Sequence, residues 1–322
     1  MFKEGQILKE KKIYLAGHKG MVGSAIHRNL EGKGYTKIIT KTLDELDLIR
    51  QADVETFFRS EKPEVVIIAA AKVGGIWANN VYRAEFLYQN LMIESNLIHS
   101  ASQNGVEKLI FLGSSCIYPK LAPQPLKEES LLSGYLEYTN EPYAIAKIAG
   151  IKLCESYFKQ YESNFFSAMP TNLYGFYDNF DLETSHVLPA LIRKFHEAKE
   201  SNCNSVTLWG TGTPKREFMF VDDLADAIVF LLENVNANDI YSKEISQINI
   251  GTGEDLTIAE AAEIISSVVG FEGVINYDSS KPDGTPRKLM DVSRLHNLGW
   301  NHKTSFREGI EKTYKWFVEN KI

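Results

Sequence analysis

The chain has 322 residues, of which 44% are hydrophobic and 24% are charged, and its formal net charge is -7 at pH 7. This length and composition are typical of a soluble globular protein with one large domain or two smaller ones. The acidic balance argues against a protein whose main partner is nucleic acid.

Cysteine content and apolar runs bear on the compartment. Three cysteines, an odd and sparse set, predict no disulfide framework and a reducing environment. The first six residues lack the apolar core of a signal peptide, and runs such as residues 65–71 are too short to span a bilayer. We therefore expect a cytoplasmic protein with no membrane partner, and we predict no metal site.

The first motif is a glycine-rich turn between a predicted strand, residues 13–16, and a predicted helix, residues 24–30. The turn reads Gly17-His18-Lys19-Gly20-Met21-Val22-Gly23. Glycines let the backbone approach a ligand closely, and a helix N-terminus offers free N–H groups, as a dinucleotide pyrophosphate requires. The turn therefore predicts a dinucleotide site, with an ordinary glycine turn as the alternative.

The end of the next predicted strand, residues 37–40, bears on the choice of cofactor. An adenine ribose with a free 2′-OH usually meets an acidic residue at this point. Here Lys41, Thr42 and Leu43 follow, and the first acid is Asp44. A cation suits a 2′-phosphate, so Lys41 favours NADPH over NADH. The alternative is a solvated surface lysine.

Strands and helices go on alternating through the first half of the chain. The pattern predicts a helix at 54–60, a strand at 65–71, a loop at Gly74-Gly75, a helix at 83–102 and a strand at 108–112. Strand 65–71 is continuously apolar, as in a parallel strand buried on both faces. The alternation predicts an α/β fold with a doubly wound parallel (Rossmann) sheet.

Two groups of polar residues follow strand 108–112. Ser114 and Cys116 lie just past its end, at the edge where open α/β sheets bind ligands. Tyr143 and Lys147 stand at i and i+4 of a predicted helix and share one face. A nearby ammonium is expected to lower the Tyr143 pKa, which makes the pair a general acid/base for a carbonyl or an alcohol. The alternative is an ordinary surface pair.

The pattern loosens after a strand predicted at residues 165–169. We expect helices at 187–199, up to about 232, at 258–269 and at 306–319, and strands at 205–209, 247–251 and 274–277, with 247–251 as the last strand of the main sheet. This predicts a dinucleotide-binding domain at residues 1–175 plus 217–253. A smaller α/β domain is predicted at residues 176–216 plus 254–322.

Longer segments carry a resemblance to a known family. They are residues 16–26, 69–76, 112–120, 140–147, 169–175 and 281–288. On these segments the chain resembles the extended short-chain dehydrogenase/reductases almost end to end, and most closely the GDP-L-fucose synthase family among them. The Ser-Ser-Cys loop and the Lys-Pro-Asp-Gly-Thr-Pro-Arg-Lys segment are the most specific matches.

The resemblance implies conversion of GDP-4-keto-6-deoxy-D-mannose to GDP-L-fucose, by epimerisation at C3 and C5 and NADPH-dependent reduction at C4. In the reduction, Tyr143 would protonate the C4 oxygen, Ser114 would hydrogen-bond it, and Lys147 would tune Tyr143 and contact the nicotinamide ribose. In the epimerisation, Cys116 would be the base and His186 the acid, with ordinary pKa values of about 8.5 and 6.5. The alternatives are a small packed cysteine and a helix-start histidine.

The resemblance also implies the residues that bind NADP(H). They are Gly17, His18, Lys19, Gly20, Met21, Val22, Gly23, Lys41, Leu43, Leu112, Gly113, Ser114, Ser115, Lys147, Pro170, Asn172, Leu173 and His186. The family often has arginine where this chain has Leu43, so Lys19 and Lys41 are expected to substitute for it.

The second domain would bind the nucleotide sugar. By resemblance its contacts are Lys194, Trp209, Arg216 and Asp283. Lys194 and Arg216 could neutralise the diphosphate, and an arginine fork suits phosphate oxygens. The alternatives are a solvated helix face for Lys194, a core position for Trp209 and a turn cap for Asp283.

Other functions and an assembly are also predicted. The rivals are a C4-reductase of a related GDP-4-keto sugar such as a deoxyheptose, with or without epimerase activity, a 4-epimerase or 4,6-dehydratase whose cofactor cycles, and a dinucleotide-sensing binding protein. Ser-Ser-Cys argues against the dehydratase, and Tyr143 with Lys147 against the sensor. Related reductases pair through two helices, so we expect a homodimer through residues 83–102 and 143–161, with Phe86, Leu91 and Ile148 among its apolar residues.

Overall fold

The computed structural model describes residues 8–182, 184–281 and 283–320. Its strands are β1 (Ile13–Ala16), β2 (Ile38–Ile39), β3 (Val65–Ile68), β4 (Lys108–Leu112), β5 (Phe165–Pro170), β6 (Asn172–Tyr174), β7 (Ser205–Trp209), β8 (Lys215–Arg216), β9 (Phe218–Phe220), β10 (Ile248–Ile250), β11 (Leu256–Thr257), β12 (Val274–Asp278) and β13 (Arg287–Lys288). Its helices are α1 (Met21–Gly32), α2 (Gln51–Glu61), α3 (Ile76–Val81), α4 (Arg83–Gln103), α5 (Glu141–Tyr161), α6 (Val187–Glu200), α7 (Val221–Asn234), α8 (Ala237–Tyr241), α9 (Ile258–Val269), α10 (Ser293–Asn297) and α11 (Phe306–Glu319).

Six parallel strands form the main sheet, in the order β10-β5-β4-β3-β1-β2. Every residue of β1, β3, β4 and β5 is buried because helices cover both faces of the sheet. The predicted doubly wound sheet is confirmed, and β10 completes it at the β5 edge as expected. The carboxyl ends of β1, β4 and β5 therefore open on one side.

Three hydrophobic clusters account for the core. Two contain residues from the sheet strands and their covering helices. The third draws its buried residues from two stretches of the chain, 174–220 and 261–317, and includes the apolar face of α6. None of the described helices has an apolar stretch long enough to cross a bilayer.

Several predicted bounds shift by up to three residues in the structure. Two of the differences lie between residues 65 and 81. The strand predicted at 65–71 ends at Ile68, because residues 69–71 pass beneath the glycine-rich turn: a Cβ on Gly17 would lie 2.6 Å from the Ala70 nitrogen. After the predicted loop at Gly74 and Gly75, helix α3 begins immediately, with Gly75 as its N-cap. Strands β6, β8, β9, β11 and β13 have only two or three residues, too few for a periodic pattern to reveal.

Candidate active site

The glycine-rich turn has the geometry of a phosphate-binding loop. Gly17 has a φ of +90°, which favours glycine, and a Cβ on Gly23 would lie 2.0 Å from the Gly17 carbonyl oxygen. Gly20 is the N-cap of α1, and the nearest atom to a Cβ there is 3.6 Å away. The helix N-terminus is therefore open, so its free N–H groups fit a dinucleotide pyrophosphate.

Lys19 and Lys41, the two lysines expected at a 2′-phosphate, lie near one carboxylate. Lys19 is exposed and Lys41 half-buried. Hydrogen bonds from Thr42 lower the pKa of Glu45, and the charges of Lys41 and Lys19 lower it further. The two cations therefore lie on one small surface, beside the Glu45 carboxylate. The Leu43 side chain is 73% exposed and brings no charge there.

The remaining residues expected at the cofactor sit mostly at the carboxyl edge of the sheet. Leu112 ends β4, Pro170 ends β5, Leu173 lies in β6, Gly113 and Ser115 follow β4, His18 is in the glycine turn, and Met21 and Val22 begin α1. The Asn172 amide donates to the Glu217 carbonyl at 2.8 Å, which ties β6 to the segment before β9.

Ser114 links the two sets of residues expected to carry chemistry. Its hydroxyl accepts a hydrogen bond from the Cys116 backbone nitrogen at 3.4 Å. The same hydroxyl lies close enough to the Cys116 thiol and the Tyr143 hydroxyl to lower the pKa of each. The loop after β4 and the first turn of α5, where Pro142 stands as predicted, therefore come together around one oxygen atom.

The predicted lowering of the Tyr143 pKa is wrong for this structure, where the net shift is upward. Burial raises the pKa of the Tyr143 hydroxyl well above its ordinary value, and nearby Cys116 and Glu94 add to the rise. The Lys147 ammonium lies 5.9 Å from the centre of the Tyr143 ring and 3.8 Å from a carboxylate oxygen of Glu94. Tyr143 therefore keeps its proton, as a proton donor must.

Cys116 and His186 share a cationic neighbour, Lys288. Burial raises the pKa of the Cys116 thiol, and the Lys288 charge opposes that rise. His186 is the N-cap residue of α6, and its side chain is exposed. Desolvation by the surrounding protein atoms lowers its pKa, and the Lys288 charge lowers it further. Lys288 comes from β13, paired with β8, and so brings a late segment of the chain to the site.

Sequence reasoning missed two residues at this site, Lys288 and Glu94. Lys288 ends the specific segment 281–288, so the motif was found but its last residue received no role. Pro282, in the same motif, lies outside the described residues. Glu94 had no signal, because a single acid within a helical pattern is ordinary.

The four residues expected at GDP lie on neighbouring elements. Trp209 is 72% exposed rather than core, and the Lys194 and Lys281 ammonium groups lie 5.7 and 5.5 Å from its ring centre. Arg216 donates to the Thr285 carbonyl at 2.5 Å. Asp283 accepts from the backbone and hydroxyl of Thr211, at 2.9 and 2.7 Å, so it does fasten a turn.

Known proteins resemble this chain in sequence. A family model described as the NAD dependent epimerase/dehydratase family matches residues 13–251. GDP-L-fucose synthase 1 of Arabidopsis thaliana is 59% identical over 312 residues, 97% of this chain and 94% of the relative. GDP-L-fucose synthase of Escherichia coli strain K12 is 56% identical over 317 residues, 97% of this chain and 98% of the relative.

A solved structure agrees at the level of the whole fold. It is a GDP-D-glycero-L-gluco-heptose synthase from Campylobacter jejuni in the presence of NADPH, 41% identical to this chain. The match has a TM-score of 0.91 and covers 96% of this chain and 99% of the other. With the glycine turn and the Ser114 cluster in place, this chain belongs to the NAD dependent epimerase/dehydratase family and, within it, to the GDP-L-fucose synthase family.

Proposed function

We propose that this chain converts GDP-4-keto-6-deoxy-D-mannose to GDP-L-fucose by C3 and C5 epimerisation followed by NADPH-dependent reduction at C4. The observation that carries the proposal is the position of Ser114, whose hydroxyl lies beside both the Tyr143 hydroxyl and the Cys116 thiol and lowers the pKa of each. Both reactions act on one ketone, because the carbonyl that is reduced also acidifies the protons at C3 and C5. One hydroxyl beside both groups suits that chemistry.

The reduction uses residues of β4 and α5. NADPH, when bound, supplies a hydride to C4, and the glycine turn with Lys19 and Lys41 suits its phosphates. Tyr143 holds the proton that the C4 oxygen takes up, and Ser114 hydrogen-bonds the same oxygen. The raised pKa of Tyr143 keeps that proton in place until the ketone becomes basic.

The epimerisation needs one group to remove a proton and another to return one on the opposite face. We assign the first role to Cys116 and the second to His186. With the Cys116 pKa raised and the His186 pKa lowered, the pair holds one proton across the neutral range. That proton sits on sulfur or on nitrogen, and the two arrangements are tautomers of one state.

The GDP moiety lies on the later segments of the chain in this proposal. The buried residues of the third hydrophobic cluster, apart from Tyr174, Phe218 and Phe220, come from residues 176–216 and 254–322. This supports a lobe built from residues 176–216 plus 254–322, beside a dinucleotide lobe of residues 1–175 plus 217–253. Exposed Trp209 offers a ring face, and Lys194 and Arg216 offer charge to the diphosphate. We also place the protein in the cytoplasm, with no nucleic acid partner.

A homodimer is part of the proposal, through α4 and α5. Phe86 and Ile148, expected at this interface, are buried within the single chain and are not available to a partner. Tyr88 and Ile145 are exposed on the same two helices and support a packing surface there. A monomer mass by light scattering at working concentration would contradict the dimer.

The test is NADPH oxidation with GDP-4-keto-6-deoxy-D-mannose in deuterated water, followed by mass spectrometry and NMR of the product. We expect L-fucose stereochemistry with solvent deuterium at C3 and C5. Oxidation without that deuterium would reduce the function to a plain C4-reductase. If NADPH consumption does not increase with the amount of added keto-sugar, the proposal is overturned.

A second candidate is a C4-reductase of a GDP-4-keto-heptose. The Campylobacter jejuni heptose synthase favours it, since its fold matches this chain over nearly the full length. The higher identity to the fucose synthases, 56% and 59%, favours the hexose. Running both keto-sugars in one competition assay, and comparing kcat/KM, decides between them.

A further inference from the structure

A buried acid stands behind the Tyr143–Lys147 pair. Glu94 of α4 is 1% exposed and Lys147 of α5 is 2% exposed, and their charged atoms lie 3.8 Å apart. In the described part of the chain, neither Glu94 oxygen has a hydrogen-bond partner of ordinary geometry. A buried carboxylate without such partners is costly unless an opposite charge is close.

The packing around Glu94 makes room for it. A Cβ on Gly150 would lie 3.0 Å from the Glu94 carboxyl carbon and 2.6 Å from the Phe111 ring. The Lys147 ammonium lies 4.5 Å from the centre of that ring. Helix α5 therefore carries glycine at the point where α4 brings the carboxylate towards the lysine.

Other titratable groups face this pair. They are Tyr143 and Cys154 on α5 and Cys116 in the loop after β4. Among the described residues, α2 and β3, which also pack against α4, present no charge that acts on Glu94. Glu94 is thus the acid that lies nearest to Lys147 in the described structure.

We propose that Glu94 is a positioning residue for the reduction, a buried counter-ion that holds the Lys147 ammonium in place and charged behind Tyr143. The inference rests on the proposed function only for its activity assay. Burial alone lowers the pKa of a lysine and so favours the neutral amine. An opposite charge within about 4–6 Å raises that pKa again by about 1–3. Burial does lower the Lys147 pKa, and the Glu94 charge opposes that effect. Burial likewise raises the pKa of Glu94 to about 8, and the Lys147 charge and the Gly150 backbone N–H oppose that rise. Each charge therefore favours the ionised form of the other.

The first test needs neither cofactor nor substrate. Lysines carrying ¹³C at the ε position are titrated by NMR, and the Lys147 signal is assigned by its absence from Lys147→Arg. We expect Lys147 in Glu94→Gln to lose its proton at a pH at least about one unit lower than in the unaltered protein. An unchanged titration overturns the inference whatever the enzyme's substrate proves to be.

The second test follows NADPH oxidation against pH, with 4-deuterated NADPH to confirm that hydride transfer limits the rate. In Glu94→Gln the basic limb of the profile should begin at a lower pH, while the rate in acid remains unchanged. At basic pH the rate should be about tenfold lower for each pH unit by which the limb has moved. Glu94→Asp keeps the charge and should move the limb less. A loss that is equal at every pH is what a merely structural role gives, and it overturns the inference.

A second neutral variant keeps the test decisive if Glu94→Gln folds poorly. Glu94→Met has similar volume and no polar atoms to leave unpaired, so it should show the same change in the limb if charge rather than shape matters. If the unaltered protein fails to reduce the keto-sugar, the proposed function fails while the NMR titration still decides the role of Glu94. If it reduces the sugar and neither neutral variant moves the limb, only the role of Glu94 fails.

Discussion

The two sets of residues that meet at Ser114 are built in different ways. The reduction group, Tyr143 and Lys147, lies on one helix, with Glu94 on the neighbouring helix. The epimerisation group, Cys116, His186 and Lys288, comes from three segments far apart in sequence. The first is fixed by the helix packing that also forms the core, whereas the second depends on how distant loops assemble. The two groups should therefore respond to different substitutions.

The largest expected effect separates the groups directly. Tyr143→Phe removes the hydroxyl that donates a proton to the C4 oxygen, and burial keeps that hydroxyl protonated. NADPH oxidation should therefore fall by about 10²–10⁴-fold. Deuterium exchange at C3 and C5 of the keto-sugar, followed by NMR, should continue because Cys116 and His186 are intact. Exchange that falls as far as oxidation would mean the groups are not separable.

The reciprocal change concerns the thiol. Cys116→Ser keeps the shape of the residue but replaces the thiol by a far weaker acid, so exchange at C3 and C5 should fall by about 10²-fold or more. The hydride step should persist and give a product without solvent deuterium, detected by mass spectrometry. Cys154→Ser is the matched control and should exchange normally, because this buried cysteine faces Glu94 and is not part of the epimerisation group.

The assembly of the later segments depends on another buried acid. The Glu217 carboxylate accepts from the backbone nitrogens of Thr252, Gly253 and Met290 at 2.6, 2.8 and 2.9 Å. Glu217→Ala leaves these donors unpaired and should lower the free energy of unfolding by about 3 kcal/mol or more, measured by urea denaturation. Exposed Glu254→Ala should change it by about 0.5 kcal/mol or less.

Much of the fold could be predicted because its signals are local. Strands β1, β4 and β7 and helices α9 and α11 have the predicted bounds, since each is a continuous or periodic apolar run. The position of Ser114 and Cys116 past β4 followed from the parallel sheet. Motif spacing could not give the charge state of Tyr143, because burial by distant residues decides it.

The contacts that were missed share a cause. Glu94 meets Lys147 across two packed helices, and the Lys288 charge acts on Cys116 from a two-residue strand. Neither contact leaves a pattern in a single sequence, since each depends on which faces of distant elements meet. The functional residues that were found belong to contiguous motifs, and those that were missed act on them from other segments.

The smallest expected effect tests Lys288. Exchange requires one proton on the Cys116–His186 pair, so the rate should be flat between two limbs, one below the ordinary histidine pKa and one above the ordinary cysteine pKa. Lys288 lowers both pKa values, so Lys288→Gln should move both limbs upwards by roughly half to one pH unit. The rate at acid pH should therefore fall and the rate at basic pH should rise.

The readout is the pH profile of deuterium exchange at saturating keto-sugar, so a change in binding does not enter. Lys281→Gln is the matched control, because this lysine of the same segment faces the Trp209 ring instead. Limbs that move in opposite directions would contradict a single cation acting on both groups. Limbs that move together would show that Lys288, on a late segment of the chain, sets the protonation of the epimerisation group. Glu94 would have the corresponding role in the reduction group.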